Sequence, residues 1–548
     1  MIHLAWLGTA APPPSWSLGD VHVLEPTPVA VSALMRDVAD LPSDAWLFWD
    51  GELGHPDEVA VSRVCGRRGD LWHAGLALGL AGQPRLLDSV APTWMLNRDP
   101  DPEIEATSWR VSFRACLVRS DVLRSIEPPS NGFQTLEGAG LEYGHRCLSL
   151  GVVTRHVSEL LPDQAECPPI TLPIEDQLHF VMHRYGIRWA RWALLRAILR
   201  GLVTLPTAVS AWRAVQQVPG TSVGTSLPAP RGLSSERDSD KRVTVLIPTL
   251  DRYPFLRRLL AQLRGQTVSP DEIIIVDQTD VSQRKDDLYE EFSDLPLHVH
   301  YLDKKGQSSA RNLGLSHASG ELVLFLDDDD EIPDTLLESH LKALDSSGAY
   351  VSCGAADEPG ALETDRLQHP QVSSVFPTNN SLAALEAVID AGRFDAAFDG
   401  GQNEDHDLGM RIYLGGGLMK FHPEIVVLHH HAFSGGLRAH GARVITRGSS
   451  RQNLLHRHLA TPWDLYLSKR YFTPEQVRES LWLRALTTFS LRGSRLRKVL
   501  KVAIALVLLP DTWRRMKANE RVAESMLQKA GGPYGEHTGS EPQERDRS

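Results

Sequence analysis

The sequence predicts an α/β protein of two domains on mainly parallel sheets. Three observations carry this: a strand-helix-strand opening after residue 242, a polar stretch at 217–241 that interrupts all apolar patterning, and an internal repeat spanning that stretch. With 548 residues, 42% of them hydrophobic, the chain is long enough for more than one core.

In the second half, Val243-Thr-Val-Leu-Ile-Pro248 is a buried-strand run closed by proline. An amphipathic helix follows at Phe255-Leu-Arg-Arg-Leu-Leu-Ala-Gln-Leu263, then a second strand at Glu272-Ile-Ile-Ile-Val276. Uninterrupted apolar strands joined through helices belong to a sheet covered on both faces, whose ligands sit beyond the carboxyl ends of the strands. Leu322-Val-Leu-Phe-Leu326 and Ile425-Val-Val-Leu428 are further strands, and Asp407 to Leu414 is helical. The 217–241 stretch, rich in Ser, Pro, Gly and charge, is a solvated linker. The domains are therefore 1–216, the linker, 242–445, a helical region at 446–530 and a disordered polar tail at 531–548.

The repeat has three parts in the same order. Ala45-Trp-Leu-Phe-Trp-Asp50-Gly-Glu52 aligns on Leu322-Val-Leu-Phe-Leu-Asp327-Asp-Asp329, and Glu142-Tyr-Gly-His-Arg146 with Gly151 falls on Asp407-Leu-Gly-Met-Arg411 with Gly416. The basic apolar segment Leu195 to Trp212 matches Leu496 to Trp513. Two copies of one α/β unit, each followed by basic helices, account for all three.

Composition narrows the function. Fifty-seven Lys and Arg against 69 Asp and Glu give a net charge of −12, the wrong sign for a nucleic-acid binder. The five cysteines form no C-x-x-C pair, which fits a reducing cytoplasm. No Lys or Arg precedes Arg36, so no secretory signal is expected, and the apolar run Val502 to Leu509 is shorter than the roughly 18–20 residues of a spanning helix.

The sharpest chemical signal is Asp327-Asp328-Asp329-Asp330-Glu331 at a strand's end. Five adjacent carboxylates repel one another, and a hard divalent cation, Mg²⁺ or Mn²⁺, would keep them ionised together. The same residues also suit a solvated acidic loop or a helix N-terminus begun at Pro333.

Pro248-Thr-Leu-Asp-Arg252, Val276-Asp-Gln-Thr-Asp280, Ala310-Arg-Asn-Leu-Gly314, the acidic loop, and Asn403-Glu-Asp-His-Asp-Leu408 with Arg411 together resemble family 2 glycosyltransferases of the GT-A fold, over roughly Arg242 to His440. The resemblance implies a Rossmann-like domain that uses a nucleotide-sugar donor and a divalent metal. It implies that Thr249 and Asp251 lie beside the nucleoside, Asp277 accepts from the base, and Arg311 helps hold the donor. Asp327 and Asp329 take the places of the D-x-D acids, with Asp329 favoured for metal ligation. Asp405 takes the place of the catalytic base, so direct displacement would invert the anomeric centre. A histidine after the last core strand supplies a metal ligand in some members; adjacent side chains of an extended chain face opposite sides, so His429, His430 and His431 do not all reach one ion, and either His430 is that ligand or the histidines serve at the surface or on the diphosphate. Ser434-Gly-Gly-Leu-Arg438 then reads either as a loop closing over the diphosphate or as an ordinary glycine turn.

By the same alignment the first copy is a degenerate GT-A-like unit. It keeps Asp50 and Glu52 but has Ala139-Gly140 over Glu404-Asp405, and a constant offset would place the counterpart of Asp277 before Met1, unless insertions hide a diverged first strand at Met1-Ile-His-Leu-Ala-Trp6. Ten of 13 tryptophans precede the linker; they fill core contacts or stack on an acceptor sugar, and Trp46 and Trp49 suit the core. Arg188 to Arg200 and Arg495 to Lys501 suit either an anionic membrane interface or packing against their own domain. The implied function is an inverting, cytoplasmic glycosyltransferase acting on a glycan or lipid-linked acceptor in surface polysaccharide or glycoconjugate assembly. The alternatives are a bifunctional transferase and a non-catalytic scaffold that binds nucleotide-sugar or glycan.

Overall fold

The computed structural model describes the chain except residues 40, 42, 75–85, 87–99, 163–171, 217–240, 360–368, 374, 433–434, 437–458, 488–493 and 535–548. The linker up to residue 240 and the tail from residue 535 therefore lie outside the described residues.

Two sheets form. The first contains β1 (Ile2–Leu7), β2 (Val21–Leu24), β3 (Ala45–Asp50), β4 (Leu71–His73), β5 (Ala106–Thr107), β6 (Ala115–Arg119) and β7 (Thr154–His156), in spatial order β2-β1-β3-β6-β4-β7-β5. The second contains β8 (Val243–Thr249), β9 (Glu272–Asp277), β10 (Leu297–Tyr301), β11 (Leu322–Phe325), β12 (Asp330–Glu331), β13 (Val351–Asp357), β14 (Gln371–Val372), β15 (Ser381–Ala384) and β16 (Met419–His429). Its order is β10-β9-β8-β11-β15-β13-β16-β12, with β14 pairing on β16.

The α/β class is as the sequence predicts, but the sheets are mixed. The run β10-β9-β8-β11 is parallel, whereas β15 and β6 are inserted antiparallel to their neighbours. In chain order the seven strands of the first sheet correspond to β8, β9, β11, β13, β14, β15 and β16. Every pair of neighbours in the first sheet runs in the same relative direction as its counterpart in the second.

This corrects the constant-offset expectation for Asp277. The counterparts of β8 and β9 are β1 and β2, both inside the chain, with Leu7 opposite Leu24 where Thr249 lies opposite Asp277. Residues 8–20 join β1 to β2 without a helix, where the second copy has the helix Tyr253–Arg264. That shortening defeats any fixed offset.

The second sheet is buried on both faces, as its apolar strands require. Val245, Ile247, Ile273 and Ile275 pack on one face against Leu256, Leu259, Leu260 and Leu263, which recur at helical spacing. Each buried leucine contributes about 1.5–3 kcal/mol. On the other face Leu246 and Ile274 meet the helix Gln307–His317, where a Cβ on Gly314 would lie 2.0 Å from Leu246 Cδ1. That contact demands glycine. Both helices thus pin the parallel strands so that their carboxyl ends open on one cleft.

Both copies share a buried charge cluster that the sequence comparison catches only in part. In the second, Asp407 accepts from Arg411 at 2.7 Å, Arg470 at 3.0 Å and the Tyr471 hydroxyl at 2.7 Å. In the first, Glu142 accepts from Arg146 at 3.0 Å and is paired with Arg184. Arg184 and Arg470 come from the helices Ile174–Tyr185 and Pro462–Tyr471, which follow their sheets.

Candidate functional site

The acidic loop leaves β11 and immediately pairs with the last core strand. Asp330 lies opposite His429 and Glu331 opposite Leu428. This short ladder brings the three histidines to the acids. The strand ends at His429, and His431, at a left-handed φ of 48°, brings its ring to 4.3 Å from that of His429.

Each of the five carboxylates has its own partner. Asp327 accepts from Arg311 at 2.7 Å, Asp328 from Arg252 at 3.0 Å and the Thr249 hydroxyl at 2.8 Å, and Asp329 from the Ala432 amide at 2.7 Å. Asp330 pairs with His429 Nδ1 at 2.8 Å, and Glu331 with His430 Nε2 at 2.8 Å and Arg258 at 3.2 Å. Protein cations thus already offset much of the charge that seemed, from sequence, to require a metal. Burial pushes Asp328 up to about 7 against the pull of Arg252. Asp329 lies below its ordinary value, because His429 and Arg252 outweigh its burial.

A cleft of about 390 Å³ opens beside this loop. Its described lining includes Thr249, Arg311, Asp327, Asp329, Asp405 and His429. Asp405 enters from the first turn of the helix Glu404–Leu414, which begins three residues earlier than predicted, at a left-handed Asn403 with φ 85°. Its Oδ1 accepts from the His406 amide at 2.8 Å, while Glu404 turns inward to 3.5 Å from Arg311. Burial and the neighbouring Asp405 push Glu404 upward. Arg311 is itself buried, and its Nε and Nη1 have no hydrogen-bond partner, so cationic donors stand desolvated at the cleft.

Three expected residues are placed differently. Asp277 does not line the cleft; it is fully buried and accepts from the hydroxyls of Tyr253 and Tyr289, both at 2.8 Å, and from the Thr279 amide. Two hydroxyls on Oδ2 and an amide on Oδ1 hold it in place, and the adjacent Gln278 lines the cleft. Asp251 stands at φ 58° with its amide on Thr279 Oγ1, also off the cleft lining. His430 points to Glu331 and Phe255, whereas His429 Nδ1 lies 3.7 Å from Asp329 Oδ1. The register of β12 on β16 thus puts His429, not His430, on the side of Asp329 and Asp330. Arg252, Gln278, Gln307 and Asn403 are among the cleft residues to which sequence reasoning gave no role. For Arg252 the signal was its place in the first motif.

The fit to a divalent cation rests on Asp329. Its Oδ1 is buried and accepts no hydrogen bond, 3.1 Å from Arg252 Nη1. Together with Asp327 it makes a two-carboxylate oxygen set suited to Mg²⁺ or Mn²⁺. Among the described residues no group of three or more His, Cys, Asp or Glu converges at metal-holding geometry. Of the glycine loop, Ser434 and Arg438 lie outside the described residues. Gly435 and Gly436 have φ of 72° and 66°, and the Gly436 amide donates to Leu250 at 2.7 Å, holding this segment over Arg252. Trp46 and Trp49 are fully buried in the first core, where no sugar can reach them.

Residues 244–396 match the family described as glycosyl transferase family 2, a stretch that stops before Asp405. The chain is 30% identical over 250 residues to the pre-mycofactocin glycosyltransferase of Mycobacterium tuberculosis, covering 42% of this chain and 50% of that protein. It is 28% identical over 113 residues to the GalNAc(5)-diNAcBac-PP-undecaprenol beta-1,3-glucosyltransferase of Campylobacter jejuni, covering 20% and 37%. The chain spans about half the length, or less, of these curated relatives. Among solved structures, the mannosyltransferase PcManGT of Pyrobaculum calidifontis, in complex with GDP-Man and Mn²⁺, matches at 18% identity and a TM-score of 0.33, over 52% of this chain and 86% of that one. By the family match, residues 244–396 carry a family 2 glycosyltransferase domain.

Proposed function

We propose that the protein is an inverting glycosyltransferase that moves a sugar from a nucleotide-sugar donor to a hydroxyl of a glycan or lipid-linked acceptor. The supporting observation is one cleft shared by Asp327, Asp329, Arg311 and Asp405, which three separate elements contribute.

Asp327 and Asp329, with His429 beside them, would hold the divalent metal. Bound there, it would neutralise charge on the donor diphosphate. Arg311 offers its unpartnered N–H groups to the same charge, which grows as the anomeric C–O bond breaks. An acceptor hydroxyl is a poor nucleophile at neutral pH, so Asp405 takes its proton as the oxygen attacks the anomeric carbon. The electron pair of the breaking bond leaves with the nucleoside diphosphate, and the configuration inverts. Asn403 and Glu404 turn the start of the helix so that Asp405 is the acid left at the cleft.

The first domain, in this reading, is a catalytically silent copy that supports or positions the acceptor. Where the second copy has Glu404-Asp405, it has Ala139-Gly140, and its helix Leu136–Ser149 packs closely on the segment before β6. A Cβ on Gly140 would lie 2.3 Å from the Val111 carbonyl, and one on Gly144 2.4 Å from that of Trp109. This packing counts against a bifunctional enzyme. We place the reaction in the cytoplasm, in surface polysaccharide or glycoconjugate assembly; Cys65, Cys116, Cys147 and Cys353 are all free thiols.

The test is nucleotide release from UDP-, GDP- and dTDP-sugars with Mn²⁺, Mg²⁺ or EDTA, comparing wild type with Asp405→Asn. Metal-dependent turnover of one donor, lost in the variant while donor binding persists, is expected. Unchanged turnover in Asp405→Asn would sink the base assignment, and donor binding without turnover under any condition would favour a scaffold.

A further inference from the structure

The helix Arg495–Lys529 has two unlike halves. Its second half is anchored in the protein: Met516 and Ala523 are buried, Glu520 pairs with Lys469 at 3.2 Å, and Asn519 donates to the Ala460 carbonyl at 2.7 Å. Its first half, ahead of Pro510, has Ala505 as its one buried residue among those described.

The exposed positions of that half form a stripe at helical spacing: Leu496, Val499, Leu500, Ala503, Leu506 and Val507. Leu496 and Val507 are each 80% exposed. A helix facing water shows polar residues at these positions and apolar ones at the buried ones. Here the exposed stripe is wholly apolar. Arg495, Lys498 and Lys501 flank it, and residues 494–510 contain no acid.

The stripe continues into a second surface. Trp513, two turns beyond Leu506, stacks at 4.7 Å on Trp482, which is itself more than half exposed. Trp482 borders a groove with Trp192, Leu199 and Leu202 of the first domain's helices, where Arg196 and Arg200 both pair with Glu479. The basic apolar segments of the two halves, matched in sequence, are therefore joined in space through the helix Pro474–Thr487. Residues 187–216 hold five arginines and no acid. A chain of net charge −12 thus concentrates nine cations without one carboxylate in two stretches that also expose aliphatic side chains and tryptophan.

We propose that this surface docks on an anionic lipid bilayer, with the 496–507 stripe lying in the interface and the flanking cations on lipid headgroups. Apolar residues along one stripe, cations beside it and tryptophan at its edge match the depth profile of a bilayer surface. No helix among the described residues is long and apolar enough to cross the membrane, so the contact is peripheral. The inference does not depend on the transfer chemistry.

The test is co-sedimentation of the full-length protein with vesicles of phosphatidylcholine, alone or mixed with phosphatidylglycerol. Wild type should bind the mixed vesicles at least roughly tenfold more tightly, and high salt should weaken that binding. Leu496→Asp with Val507→Asp, and separately Lys498→Glu with Lys501→Glu, should each lose at least roughly tenfold with the melting temperature unchanged. Three outcomes overturn the proposal: wild type that ignores both vesicles, charge reversal without effect, or variants that melt lower because the stripe packs within the chain. Self-association of wild type that Val507→Asp abolishes would instead assign the stripe to a second copy of the chain.

Discussion

Arg470 sets its Nη1 3.0 Å from Oδ1 of Asp407, a carboxylate with no solvent exposure. It reaches back from a helix beyond the second sheet to the helix that carries Asp405. The same guanidinium donates to Asp395 at 2.6 Å, and Tyr471 closes the remaining approach to Asp407. The first copy builds the equivalent cluster from Glu142, Arg146 and Arg184, although its helix carries Ala139-Gly140 where the acids would be. A cluster kept where the Glu404-Asp405 pair is absent is one that fixes the helix.

Arg470→Met should therefore cost about 3–5 kcal/mol, because it leaves Asp407 buried and short of a cation. Denaturant unfolding measures it, and Arg184→Met should cost a similar amount. A loss under about 1 kcal/mol would mean that the helix does not rest on this pair.

The cluster also shows what the sequence hides. The Arg184-Tyr185 and Arg470-Tyr471 pairs echo each other, but Arg184 lies 42 positions after Glu142 and Arg470 63 after Asp407, so an ungapped comparison misses them. The strands leading to Asp277 and Asp327 were legible because parallel, doubly covered strands are continuously apolar. The fate of Asp277 was not, since its tyrosine partners lie 24 positions before it and 12 after it in the chain. His429 needed the pairing of Asp330 with His429, a register that no local pattern encodes.

Burial alone would lower His429, but its hydrogen bond to Asp330 and the charge of the neighbouring acids raise it to about 9. Burial raises Asp330 in turn, yet the Asp327 amide donates to its Oδ2 at 2.8 Å and His429 holds Oδ1, which favours the carboxylate. A folded value above the ordinary 6.5 means that the stabilisation is complete below pH 6.5 and disappears as pH rises through 9. With chelator present, His429→Gln should cost about 3 kcal/mol at low pH and little once His429 is neutral. A gap that stays constant with pH would show that the histidine is not held as a cation.

Gly401 lines the cleft beneath the Trp463 indole, whose Nε1 donates to the Ala397 carbonyl at 3.1 Å. A Cβ on Gly401 would lie 2.0 Å from Trp463 Cδ2, whereas one on Gly400 would lie 3.3 Å from the ring, a contact that a shift of a few tenths of an ångström relieves. Gly401→Ala should destabilise by about 1–3 kcal/mol and weaken donor binding, and Gly400→Ala should do far less. Equal effects in thermal melts would remove the indole as the cause.

The two histidines give the sharpest test of the metal site. His429 shares the cleft with Asp327 and Asp329, while His430 faces Glu331 and Phe255 on the other side of the strand. If the acids hold a divalent cation, His429 either ligates it or orients Asp329, and His429→Gln should raise the metal concentration needed for half-maximal donor binding by roughly 10–100-fold. His430→Gln removes a partly exposed pairing with Glu331 and should leave that requirement unchanged. Asp329→Asn should abolish the metal's effect on donor binding, because the carboxylate with a buried, unpartnered oxygen is gone. Titration of Mn²⁺ against donor binding separates the cases. A requirement that follows His430 would reverse the parity read from the strand register, and one indifferent to Asp329 would leave Arg252 and Arg311 as the cations that meet the diphosphate.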